Sequence, residues 1–278
     1  MPLDKRGVRA KFGHEPTPGR FFALAAFVLA LVLAACGGGS SQVSPGNLNS
    51  ADEVLAESRD ALSSVNSYRL ETVMVTKNQD DDRQMMTGSI NLTWSAPDRL
   101  HAVIEGVEEG EEAQRYEYIS TDGRIMARQS ATGNFWVEYD KNPDPDDMEA
   151  RGILAAVEGF SSTPNFLPDM DDAELVGITD IDGLSFYHIK GSSSVRTEPP
   201  DDLPDDLAAS YPRQQTDTSY DLYISLADLL PRRLVMVVEL TWQNFPDDWP
   251  EIEPPRMEST VDYLDFNDPV SIVLPEAG

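Results

Sequence analysis

Residues 86–95 read MTGSINLTWS, and they decide the fold. Met86, Ile90, Leu92 and Trp94 alternate with Thr87, Ser89, Asn91, Thr93 and Ser95. Successive side chains of a strand point to opposite faces, so this run has one apolar and one wet face. Such a strand belongs to an antiparallel sheet covered on one side only. Working outward, Pro97-Asp98 makes a turn, and Leu100, Ala102 and Ile104 carry the pattern from Arg99 to Glu105. Upstream, Tyr68 to Thr76 reads as a strand.

The same period recurs downstream. After an acidic loop from Gly106 to Glu112, Gln114 to Ser120 is a strand with Tyr116 and Tyr118 on one side. Asp122-Gly123 is a hairpin signal. Ile125 to Gln129 and Phe135 to Tyr139 follow, joined by a turn at Thr132-Gly133. Ala173 to Thr179 and Leu184 to Gly191 flank a second turn, Asp182-Gly183. The last strands are Ser219 to Ser225, Arg232 to Thr241 and Met257 to Phe266. Ser192 to Gln215, with Pro199, Pro200, Pro204 and Pro212, reads as a mobile excursion with one short helical turn near Leu207. Asn244 to Pro255 is another proline and acid loop, and Pro269 to Pro275 an extended tail.

Two helices interrupt the strands. Ser50 to Ser64 has Ser50 as N-cap and Glu53 at the capping-box position, with Val54, Leu55, Leu62 and Val65 near one face. Asp147 to Val157 has a stripe of Ala150, Ile153, Leu154 and Val157, with its cap supplied by the Asp140–Asp147 segment. About eleven strands, two segregated helices and no βαβ alternation predict an α+β fold. An open sheet of that size curls, and helices on its concave side would cover the apolar face.

Residues 21–36, FFALAAFVLALVLAAC, set the compartment. Lys5, Arg6, Arg9, Lys11 and Arg20 precede an apolar run that ends on the only cysteine of the 278-residue chain. A basic n-region, a short h-region and small residues before the cut describe a secretory signal. Leu33-Ala34-Ala35-Cys36 resembles the bacterial lipobox. The resemblance implies cleavage between Ala35 and Cys36 and a thioether-linked lipid on Cys36. The competing reading is an uncleaved anchor, but a spanning helix needs about 20 apolar residues and this run is shorter. The expected organisation is a signal peptide at 1–35, a Gly/Ser tether at 36–50 and one domain at 51–278.

Net charge is −28, and the +3 of the leader leaves −31 on residues 36–278. That charge repels nucleic acid and anionic headgroups alike. Catalytic signatures are missing from the sequence: it has no H-E-x-x-H, G-x-S-x-G, C-x-x-C or phosphate loop. His101 and His188, the imidazoles that remain beyond the leader, sit inside predicted strands and read as wet-face or hydrogen-bonded residues rather than catalytic or metal-ligating ones. The acid clusters Asp80-Asp81-Asp82, Asp144 to Asp147 and Asp169 to Asp172 do not match an EF-hand loop and read as solvated turns. No cofactor and no metal are expected. Ile90, Leu92, Trp94, Leu100, Ile104, Leu222, Ile224, Leu234, Met236 and Val238 have two readings, a filled core or the lining of an apolar cavity.

Several turns and strand starts then form a familiar pattern. They are Ser67-Tyr68-Arg69-Leu70 after the opening helix, Ala96-Pro97-Asp98-Arg99-Leu100, and Thr121-Asp122-Gly123-Arg124 ahead of a strand with Trp136. Asp182-Gly183 before Phe186-Tyr187-His188-Ile189 and the ending 265–272, DFNDPVSI, complete it. The chain resembles the mycobacterial lipid-carrier lipoproteins, related in fold to the periplasmic lipoprotein carriers of Gram-negative bacteria. The resemblance implies a half-barrel over helices, with a cavity for acyl chains lined by the ten residues above. It implies a non-catalytic, exported protein held at the membrane by its lipid anchor, with a lipid ligand. The alternative is an envelope sensor that binds a protein partner through the same fold.

Overall fold

The computed structural model describes residues 48–130, 135–140, 148–161, 167–197, 213–243 and 255–275. Helix α1 (Ala51–Ser63) comes first. Strands β1 (Ser67–Asn78), β2 (Gln84–Ser95), β3 (Arg99–Glu108), β4 (Gln114–Thr121), β5 (Arg124–Gln129) and β6 (Val137–Tyr139) follow. Helix α2 (Met148–Ser161) separates them from β7 (Glu174–Ile181), β8 (Leu184–Arg196), β9 (Arg213–Ser225), β10 (Pro231–Gln243) and β11 (Pro255–Leu264).

The eleven strands among the described residues form one antiparallel sheet in the order β6-β5-β4-β3-β2-β1-β11-β10-β9-β8-β7. Each half is a simple meander, and the halves meet where β1 pairs with β11, from Arg69 opposite Leu264 to Asn78 opposite Pro255. The sheet stays open, with β6 and β7 as its edges, so the chain that carries α2 runs from one edge to the other. This is an α+β half-barrel over two helices, as the strand pattern predicts.

Local chemistry explains the elements. Ser50 Oγ accepts from Glu53 N at 3.2 Å, and Glu53 Oε2 accepts from Asn49 N at 2.9 Å, so two free donors at the start of α1 are satisfied. Asp122 and Asp182 have φ of 50° and 52°, and the glycines after them 82° and 80°. Both turns therefore have the left-handed pair that matches strand twist in a two-residue hairpin. Ala96–Pro97 is a cis bond in the β2–β3 turn. The tail is tied to the start of β1: Asn267 N donates to Ser67 O at 2.8 Å, and Ser67 Oγ to Asp268 O at 2.7 Å.

Three expectations change. β3 runs on to Glu108 because its backbone keeps pairing with β2 as far as Met86, although Val107 and Glu108 are wet. The segment 192–215 is strand at both ends, since β8 continues to Arg196 opposite Gln215 of β9. Phe135 is exposed and β6 starts only at Val137. The leader, Cys36 and the tether to residue 47 lie outside the described residues. So do the Thr132-Gly133 turn, Asp144 to Asp147, Pro164, the turn near Leu207 and most of 244–255. Among the described residues no helix is long and apolar enough to cross a membrane.

Candidate ligand-binding face

The sheet brings the ten predicted residues to one face. Register places them in rows that cross the strands. One row runs Tyr116, Ile104, Ile90, Thr72, Val261, Leu234, Leu222, Ile189, Leu175, one side chain from each of β4, β3, β2, β1, β11, β10, β9, β8 and β7. A second joins Ile125, Ser120, Leu100, Trp94 and Tyr68. Trp94 stacks on Tyr68 with ring centroids 5.3 Å apart. All ten belong to a single apolar cluster and none is more than 4% exposed. Val54, Leu55 and Leu62 of α1 and Ile153 and Val157 of α2 join the same cluster, so the helices lie on this face. Each full burial of such a side chain contributes about 1.5–3 kcal/mol. The face is thus covered and largely apolar, with the ten residues packed in its core.

Reasoning from the period missed the polar atoms set among them. Thr76, Thr218 and Ser259 are 5%, 2% and 2% exposed, and their hydroxyls have no hydrogen-bond partner. The Trp94 indole N–H is likewise buried and unpartnered. Burial pushes the Tyr68 and Tyr263 hydroxyls far above the usual phenol range, so both stay neutral.

A separate groove of about 520 Å³, open to solvent, lies where α1 ends beside the β9–β10 turn and the end of β11. Ala61, Ser64, Leu230, Tyr263 and Phe266 are among its walls, and none of the ten predicted residues is. Arg232 lies over the Phe266 ring at 5.0 Å from its centre and is ion-paired with Asp228.

Both histidines face the other side of the sheet. His101 Nε2 is 2.8 Å from Glu117 Oε1, and Arg128 Nε donates to Glu117 Oε2 at 2.8 Å. Burial works to raise the Glu117 carboxyl, but the hydrogen bonds and charges of His101 and Arg128 outweigh it and hold it below the usual range. Arg128 also covers the Trp136 ring at 4.7 Å. His188 bonds Asp221 Oδ1 at 2.6 Å and stacks on Tyr223 at 4.6 Å. These imidazoles brace carboxylates on the outer face, Glu117 buried there and Asp221 partly exposed.

The acid clusters within the described residues act as turn chemistry. Asn78 Oδ1 accepts from Asp80 N, and Asp81 Oδ1 accepts from Arg83 N. Asp172 Oδ1 accepts from both the N–H and the hydroxyl of Ser192. No three His, Cys, Asp or Glu among the described residues come together as metal ligands.

No family model matches the chain, and no curated protein does. Solved structures are similar to it. LprF from Mycobacterium bovis shares 14% identity over 82% of this chain and 97% of its own, with a TM-score of 0.42. The Mycobacterium tuberculosis lipoprotein LppX shares 15% over 80% and 99%, with a TM-score of 0.39. A putative outer membrane lipoprotein-sorting protein domain from Vibrio parahaemolyticus shares 8% over 80% and 95%, with a TM-score of 0.26.

Proposed function

We propose that this chain is an exported lipoprotein that holds a lipid against the inner face of its sheet. Residues 1–35 would be removed, Cys36 would carry the acyl anchor on the extracytoplasmic side of a membrane, and 36–50 would tether the domain at 51–278. Two or more acyl chains suffice for a stable anchor. The observation that carries the ligand reading is the long row, one side chain per strand across nine neighbouring strands and apolar or aromatic at every one but Thr72. Such a face offers an extended acyl chain contact along its whole length, at about 25 cal/mol per Å² removed from water. Because its side chains are covered in this structure, entry requires a covering element to lift. No covalent step is needed, and the two histidines engage carboxylates on the opposite face.

The test is native mass spectrometry of the full chain purified from a lipoprotein-processing bacterial host. The expected result is a body that carries lipid beyond its anchor and exchanges it for added palmitate esters. A chain that releases no lipid and takes up none overturns the reading.

One observation favours the sensor alternative. At the β7 edge Val176, Ile178 and Leu184 are 53%, 58% and 64% exposed. Exposed apolar side chains on an open edge suit a protein partner. A cross-linked envelope protein, lost on Ile178→Lys, would support that reading.

A further inference from the structure

We infer that Thr76 of β1 and Ser259 of β11 form a hydrogen-bonding subsite for the ester linkage of the bound acyl ligand. The inference rests on the lipid reading above and specifies which part of the ligand sits where. The two residues are diagonal neighbours on the inner face, since Thr76 lies opposite Met257 and Ser259 opposite Met74. Diagonal neighbours are about 7–8 Å apart. Both hydroxyls are at least nine-tenths buried and without a partner. A buried donor left unused destabilises a fold, so two of them side by side call for a partner that comes and goes.

The surroundings give the partner's chemistry. Met86 lies opposite Thr76 on β2 and Met236 opposite Ser259 on β10, so four methionines, with Met74 and Met257, surround the pair. Thioether side chains are unbranched and repack readily around a guest. Beside Met74, Gly88 pairs with Gly106, so two adjacent positions of the face carry no side chain. The ionised group placed next to this patch by register is Glu108, opposite Met86. A carboxylate or phosphate would meet neutral donors and a like charge, at a high desolvation cost. An ester carries no charge, and its two oxygens accept one hydrogen bond each, which spans the gap between the hydroxyls.

The test uses the full delipidated chain and three probes of equal chain length: methyl palmitate, hexadecane and sodium palmitate. A neutral hydrogen bond contributes about fivefold in affinity. Wild type should retain methyl palmitate at least about fivefold better than hexadecane, and palmitate poorly. Thr76→Val with Ser259→Ala should bring the ester-to-alkane ratio to about one, leave hexadecane binding unchanged and not lower the melting temperature. The conservative Thr76→Ser and Ser259→Thr variants should keep the preference. Hexadecane bound as well as the ester by wild type, or a preference that survives loss of both hydroxyls, overturns the subsite and leaves the lipid reading standing. Failure of every probe to bind overturns the lipid reading itself, and the subsite with it.

Discussion

Leu234→Ala measures how tightly the inner face is filled. Leu234 is fully buried in the middle of the longest row, between Val261 of β11 and Leu222 of β9. The substitution removes three carbons, worth about 2.4 kcal/mol at about 0.8 kcal/mol each. If the neighbours do not collapse, a void of about 80 Å³ adds about 2 kcal/mol more. The expected loss is therefore between about 2.4 and 4.4 kcal/mol. In a domain of this size that lowers the melting temperature by about 5–18 °C. Urea titration followed by tryptophan fluorescence gives the number directly, with the slope expected to match wild type. A loss under about 1 kcal/mol would refute close packing and mean that the face already has slack beside Leu234.

The remaining predictions test polar burial and backbone approach. Glu117 has a carboxyl held below its usual range, so its contribution to stability is complete above the unfolded value of about 4.3 and disappears as pH falls through the folded one. Glu117→Gln should flatten the acid limb of stability against pH, and an unchanged limb would rule out this carboxylate as its source. A Cβ at Gly191 would meet Met170 Sδ at 2.5 Å, Cβ at 2.8 Å and Cγ at 2.9 Å. Gly191→Ala should cost about 1–3 kcal/mol, partly recovered when Met170→Gly is added. Strict additivity of the two in a double-mutant cycle would contradict the contact.

The sequence shows this sheet unevenly, for physical reasons. Period-2 alternation was clearest in β1 to β3, where one face is buried and most inward positions are hydrophobic. The hairpins at Asp122-Gly123 and Asp182-Gly183 and the Ser50 cap are local chemistry and were readable residue by residue. The outer ends of β8 and β9 were not. There Ser193 faces Thr218 and Ser194 faces Asp217, so no apolar alternation exists to read. Backbone pairing holds those arms, helped by Ser193 Oγ to Tyr220 Oη at 2.9 Å and Ser194 Oγ to Asp217 Oδ1 at 2.6 Å. Strand order was also illegible, since nothing in β1 or β11 names the other as its neighbour. For the candidate face, hydrophobic period marked the apolar positions and passed over Thr76, Thr218 and Ser259, which look like ordinary strand hydroxyls until their burial is known.

The pairing of first strand with last governs how the molecule is born. Arg69 cannot meet Leu264 until the ribosome has supplied nearly the whole polypeptide. At about 5–20 residues per second that delay is about 10–40 s. Throughout it, β1 presents a bare row of amides and carbonyls at the margin of a half-built sheet, a template for stray chains. Until that last strand arrives, pairing with another copy competes with closing the seam, so refolding yield should fall as chain concentration rises.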